Sequence, residues 1–248
     1  MLWDVDHTLV SISRVGNDIY DLAFTEMFGR PMPDISAVSM AGRTERAIAL
    51  DVLTVAGVPD PGAQIDAFQQ IQEVRAASLA GRVREFGRVL PGVPEALAAV
   101  AAGLTGVRVV QSLLTGNLRA MAEVKLGALG LLDDGSPLDL DAGAYGAESE
   151  IRADLVPVAR RNAAARYGTR SRGARPGAAQ PGGTDFGGTS TVLVGDTPLD
   201  IEAALNTGAR AVGVATGRYS AAELAAAGAH AVLPDLADTA QVTAAILG

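Results

Sequence analysis

The chain has 248 residues, 48% of them hydrophobic and 19% charged, enough to bury a sizeable core as one large domain or as a core with a smaller module. A net charge of −8 excludes the basic face of a general nucleic-acid or acidic-membrane binder, and no apolar run reaches the length of a membrane span. The absence of cysteine excludes disulfides, thiolate catalysis and cysteine-ligated zinc; a cytoplasmic location is expected, with no basic, apolar leader ahead of the first strand.

Trp3 to Val10 reads as a strand running into a turn, yet it carries Asp4 and Asp6. Buried carboxylates are costly unless paired or metal-bound, so this stretch is either a solvated strand end or the seat of a cation. Because Met1 stands so close to Asp4, the strand is expected to be short and the native chain to begin a few residues earlier. Asp18 to Phe28 has apolar residues at helical spacing and is stopped by Gly29 and Pro31. Thr44 is placed to cap a helix running through Val55, and Ala63 to Val83 forms a third helical stretch. The segment from about Val15 to Arg88 is therefore expected to be all-helical.

Pro91-Gly92 marks a turn, and Pro94 sits where a helix begins. Val107 to Asn117 reads as a strand, Leu118 to Leu129 as a helix closed by Gly130, and Gly143 to Gly146 as a short strand and turn. A helical stretch covers Glu150 to Tyr167. Residues 169–190 are rich in Gly, Arg, Ser and Pro and read as a flexible loop within the core; its Arg170, Arg172 and Arg175 read as solvated charges. Strand and helix then alternate to the end: strands in "TVLVG", "AVGVATG" and "HAVLPDL", helices in "IEAALNTGA" and "AAELAAAGA". That alternation predicts an α/β, Rossmann-like parallel sheet with helices on both faces.

Three expected strand ends carry polar clusters: Asp4-Val5-Asp6-His7-Thr8, Thr115-Gly116-Asn117, and Gly195-Asp196-Thr197-Pro198-Leu199-Asp200. Open parallel sheets bind ligands at the carboxyl ends of their strands, so the clusters are expected in one crevice. Asp4 and Asp6 would share a face. Asp196 adds a carboxylate from another strand, with Asp200 behind it. Such oxygens suit magnesium, which takes one or two carboxylates and binds substrate phosphate. Thr115 offers a hydroxyl beside a helix N-terminus, a good seat for phosphate. The combination points to phosphoryl transfer through an aspartyl-phosphate. His7 and Thr8 read as turn residues.

These residues resemble the haloacid dehalogenase-like (HAD-like) hydrolase superfamily, most of all its phosphoglycolate phosphatase-type branch. The first motif, Asp-x-Asp-x-Thr, is matched by Asp4, Asp6 and Thr8; the second by Thr115 in "LLTGN"; the fourth, Gly-Asp-x-x-x-Asp, by Gly195, Asp196 and Asp200. The resemblance implies a Rossmann-like core at 1–14 and 89–248 with a helical cap at 15–88. It implies Asp4 as nucleophile and metal ligand, and Asp6 as general acid and base that also touches the metal. Asp196 becomes a metal ligand, and Asp200 a direct or water-mediated one. Thr115 with the amide of Gly116 or Asn117 would hold phosphate. Arg43, at the start of a helix in the cap, reads equally as a substrate contact and as a solvated cap residue. The family's third-motif lysine is missing from its usual place, where Arg152 stands instead. Lys125, the sole lysine and the alternative to Arg152, lies roughly 12 Å along the next helix from its phosphate-binding end by helical rise, too far for a direct contact unless the helix starts late. The resemblance thus implies a magnesium-dependent phosphoric monoester hydrolase acting on a small phosphorylated metabolite, with no nucleic-acid or membrane partner. The same motifs permit a phosphomutase or a catalytically degenerate binding protein; a dehalogenase would generally lack the second aspartate, Asp6.

Overall fold

The computed structural model describes residues 1–12, 15, 17–103, 109–168 and 186–248. Most of the predicted loop at 169–190 lies outside the described residues, as do positions 107 and 108 of the predicted second strand. The elements in chain order are β1 (Leu2–Trp3), β2 (Val10–Ile12), α1 (Asp18–Phe28), α2 (Glu45–Val55), α3 (Pro61–Ala76), α4 (Ala80–Phe86) and β3 (Gly87–Val89). There follow α5 (Val93–Ala102), β4 (Ser112–Leu113), α6 (Arg119–Ala128), α7 (Leu155–Tyr167), β5 (Val192–Gly195), α8 (Pro198–Asn206), β6 (Arg210–Val214), α9 (Ala221–Ala226), β7 (Ala231–Leu233) and α10 (Thr239–Leu247).

Five strands form one sheet in the order β4-β1-β5-β6-β7, and every pairing in it is parallel. Alternation along each strand decides which helices cover which face. Trp3, Val194 and Val212 point to the side where α5 and α10 bring Val93, Leu97, Val242 and Ile246. Leu2, Leu193 and Ala211 point the other way, onto Leu155 and Val156 of α7 and Ile201 and Ala204 of α8. Trp3 is wholly buried, and its indole N–H donates to Gln111 Oε1 at 3.0 Å, so its one polar atom is satisfied. The expected parallel sheet with helices on both faces is the observed architecture.

A second apolar cluster joins α1 to α4, with Phe24, Leu53, Ile65 and Phe68 buried at its centre and Leu118 and Met121 of the α6 region closing it. Each such large side chain is stabilised by ~1.5–3 kcal/mol relative to exposure. Thr44 starts α2 from an extended backbone, and its hydroxyl accepts the Ala47 N–H at 3.3 Å. Thr44→Ala should lower stability by about 1 kcal/mol through loss of this cap, while Thr44→Ser should lose little; urea unfolding of the three proteins checks it.

The first strand is short and runs into a turn, in which the Val5 carbonyl accepts the N–H groups of Leu9 and Val10 and turns the chain back on itself. His7 sits in that turn with φ 58°. Two elements differ from the sequence reading. The returning β2 pairs antiparallel with β3, a strand inside the stretch expected to be all-helical. This two-stranded ribbon carries the chain into and out of the helical segment. The sequence reading also left α10 out, although Asp238 caps it by accepting from Ala240 and Gln241, and Val242 and Ile246 repeat at helical spacing. Among the described residues no helix is long and apolar enough to cross a membrane.

Candidate active site

The carboxyl ends of β1, β4 and β5 meet at one cavity of about 380 Å³. Asp4 follows β1 directly, its backbone N–H donating to the Val194 carbonyl at 2.9 Å, so the sheet ladder itself places the carboxylate. Asp196 follows β5 directly. Asp200 is held by a capping box at the start of α8: Thr197 donates its hydroxyl to Asp200 Oδ2 at 2.7 Å, and the Asp200 N–H donates back to Thr197 Oγ1 at 3.3 Å. Asp4, Asp196 and Asp200 are all buried, and each offers a carboxylate oxygen within 4.8 Å of the other two. A Cβ on Gly217 would fall 1.8 Å from Asp196 Oδ2, so only bare backbone can cover that carboxylate.

One guanidinium faces this cluster. Arg152 opens the turn before α7, is 6% exposed, and places Nη2 at 2.8 Å from Asp4 Oδ1 and 2.6 Å from Asp200 Oδ1. The same nitrogen donates to the Leu114 carbonyl at 3.3 Å, and Nη1 to the Gly42 carbonyl at 3.1 Å. Arg152 therefore ties the sheet to the segment between α1 and α2. One cation among three buried carboxylates leaves an excess of negative charge. Burial, with the neighbouring acidic charges adding to it and Arg152 opposing, pushes the Asp4 carboxyl up to about 7. Burial followed by the charges of Asp4 and Asp200 pushes Asp196 up to about 9. The donor set fits a hard divalent cation, whose charge would offset that repulsion.

Asp6 has a different setting. Lys125 Nζ lies 2.8 and 2.6 Å from its two oxygens, and Asn117 Nδ2 donates to Oδ2 at 2.8 Å. Burial works against ionisation here, but the Lys125 charge and these hydrogen bonds outweigh it and hold the carboxyl below its usual range. Lys125 also donates to Asn117 Oδ1 at 2.6 Å. Lys125, which backbone rise alone would leave too far away, therefore reaches Asp6. The helix begins only at Arg119, and a helical side chain leans back toward its N-terminus, so the long lysine stem recovers the distance that backbone rise suggests is lost. Both Arg152 and Lys125 reach the cavity, each on its own aspartate.

Thr115 is fully buried, and its hydroxyl accepts the Asn117 N–H at 3.2 Å and Asn117 Nδ2 at 2.7 Å. Gly116 runs so close to the helical segment that a Cβ would lie 1.9 Å from the Arg43 carbonyl. Arg43 lines the cavity, but its guanidinium is bound to Asp51 at 2.6 Å and to the Ser39 and Ala47 carbonyls. The sequence reading did not single out four further lining residues: Tyr20, Glu45, Thr197 and Arg218. Asp200 three residues after Thr197 is the capping-box spacing that marks Thr197; the other three carry no sequence signal of comparable strength.

Residues 153–239 match the family model described as HAD-hydrolase-like. A hydrolase from Pseudomonas syringae shares the fold at TM-score 0.63 and 19% identity, over 100% of this chain and 98% of that one. A predicted phosphatase from Clostridium acetobutylicum shares it at TM-score 0.64 and 14% identity, over 98% and 97%. CbbY from Rhodobacter sphaeroides, in complex with phosphate, does so at TM-score 0.59 and 16% identity, over 96% and 94%. Residues 153–239 thus carry the HAD-hydrolase-like match, and the chain as a whole shares the fold of these proteins. No curated protein matches it. The matched segment begins just after Arg152 and includes Asp196 and Asp200; Asp4, Asp6, Thr115 and Lys125 lie before it.

Proposed function

We propose that this chain is a HAD-like, magnesium-dependent phosphatase that hydrolyses a small phosphorylated metabolite through an aspartyl-phosphate on Asp4. The observation that carries the reading is the gathering of Asp4, Asp196 and Asp200 within 4.8 Å, beside a cavity lined by Asp4, Asp196, Thr115, Gly116, Asn117, Lys125 and Arg152. Asp4, Asp196 and Asp200 would hold magnesium together with the Asp6 carbonyl; when bound, the ion would screen the charge between nucleophile and phosphate. Thr115 and the Gly116 and Asn117 amides would hold peripheral phosphate oxygens ahead of α6.

An Asp4 carboxylate oxygen attacks phosphorus, the bond to the leaving oxygen breaks, and that oxygen takes a proton. Water then attacks the phosphorus of the aspartyl-phosphate, releasing phosphate and restoring the carboxylate. Asp6 handles both protons. Its contact with Lys125 favours the ionised form, which suits the second, base-assisted half. In the first half a protonated Asp6 gives its proton to the leaving oxygen, and in the second half it takes one back from the attacking water. Residues 15–88 would act as a cap that excludes water and reads the leaving group, with the β2–β3 ribbon as its neck.

Purified protein should release inorganic phosphate from p-nitrophenyl phosphate in magnesium, lose that activity in EDTA and regain it when magnesium is restored. Inactivity in magnesium toward this ester and a panel of phosphometabolites would sink the enzyme reading and favour a binding protein.

A further inference from the structure

The cavity has two unlike ends. The catalytic end holds the aspartates, Thr115 and Lys125; the end beneath the helical segment is walled by Ile12, Val15, Ile19, Met40, Ile48 and Met121. Into that apolar end projects a second kind of carboxylate. Glu45 is the first residue of α2, 8% exposed, and its backbone N–H is tied to the Gly116 carbonyl at 2.7 Å, next to the expected phosphate seat. The Tyr20 hydroxyl donates to its Oε1, and Gln72 Nε2 reaches the same oxygen at 3.5 Å. Both donors fall on Oε1, so Oε2 has no hydrogen bond among the described residues.

No described cation pairs with Glu45. Lys125 is spent on Asp6, Arg152 on Asp4 and Asp200, and Arg43 on Asp51. A buried carboxylate fixed by two neutral donors, with its other oxygen bare in an apolar cavity, is a site that a cation completes. The Glu45 carboxylate lines the cavity on its helical side, close enough to feel the charges of Lys125 and Asp6, and the apolar side chains around it suit a short run of methylene groups.

We propose that Glu45, oriented by Tyr20 and Gln72, binds a protonated amine on the leaving group, so that the substrate class is the phosphate monoester of a small amino alcohol. This rests on the phosphatase reading of the same cavity and deepens it.

The test compares O-phosphoethanolamine with n-propyl phosphate, esters of equal length that differ in an ammonium against a methyl. In magnesium, the wild-type protein should favour the amine ester in kcat/KM by at least about tenfold, since a site built around a polar group discriminates strongly against a ligand lacking it. Glu45→Gln should bring that ratio close to one, and the ratio is insensitive to general damage. Calorimetric binding of both esters to the wild-type protein should show the same preference. If p-nitrophenyl phosphate is hydrolysed but the two esters are treated alike, the amine site is overturned and the phosphatase reading stands. If nothing is hydrolysed, the phosphatase reading falls and calorimetry alone decides, equal or absent binding of the two esters overturning the amine site.

Discussion

Asp4→Asn should lower p-nitrophenyl phosphate turnover by about 10⁴-fold or more, the scale on which loss of a catalytic nucleophile is felt. The amide has the shape of the carboxylate but is too weak a nucleophile to attack phosphorus. The fold should survive. Asp4 belongs to a buried trio whose like charges repel, and burial already pushes its carboxyl up to about 7, so a neutral side chain removes a cost as well as a partner. Arg152 keeps its ion pair to Asp200 at 2.6 Å, and the backbone bond from Asp4 to Val194 is untouched. Steady-state kinetics beside a thermal unfolding curve checks both halves. Hydrolysis at the wild-type rate with unchanged melting would remove Asp4 from the chemistry.

Arg152→Ala should destabilise the protein by ~3–5 kcal/mol, because removing one partner of a buried pair leaves an uncompensated charge. Here two carboxylates are left, Asp4 and Asp200, and the bonds to the Leu114 and Gly42 carbonyls go with them. Arg152→Lys should recover only part of the loss. A single ammonium is a point charge, whereas the planar guanidinium spreads its donors across four acceptors on separate elements. Pairing Arg152→Ala with Asp200→Asn should restore stability relative to Arg152→Ala alone, since one of the stranded charges is then gone. Urea unfolding of the set in EDTA measures these differences. A cost for Arg152→Ala below about 1 kcal/mol, the range of exposed pairs, would mean that the guanidinium does not neutralise this cluster.

The parts of the site that were legible in sequence share one property. Asp4, Thr115 and Asp196 each follow an apolar or β-branched run closely, so knowing where the strand ends is enough to know where the side chain starts, and Asp200 comes at capping-box spacing from Thr197. A parallel sheet then brings all its carboxyl ends to one edge. Thr44 was legible for a similarly local reason, as a hydroxyl ahead of a helical period. The antiparallel β3 was not, because three residues, Gly87–Val89, hold no period of their own and become a strand only by meeting β2 from the far end of the helical segment. Glu45 was hidden by ordinariness: an acid in the first turn of a helix is what the helix dipole favours, whatever it faces.

The two basic residues mark where local reasoning stops. Counting residues along α6 weighs against Lys125, and position relative to the motifs favours Arg152, yet each ends on a different aspartate. Backbone rise measures separation between Cα atoms, while an ion pair depends on where a long side chain leans and where the helix begins.

What the amino-acid sequence determined by itself was the alternation of elements, the parallel character of the sheet and the acidic strand ends, because these depend on period and on neighbours a few residues away. What only the tertiary structure decided was which charge meets which: Arg152 on Asp4 and Asp200, Lys125 on Asp6, Glu45 on Tyr20 with no ion-pair partner among the described residues. Coulomb and hydrogen-bond energies depend on distances through space and on burial, and neither is written in the spacing along the chain.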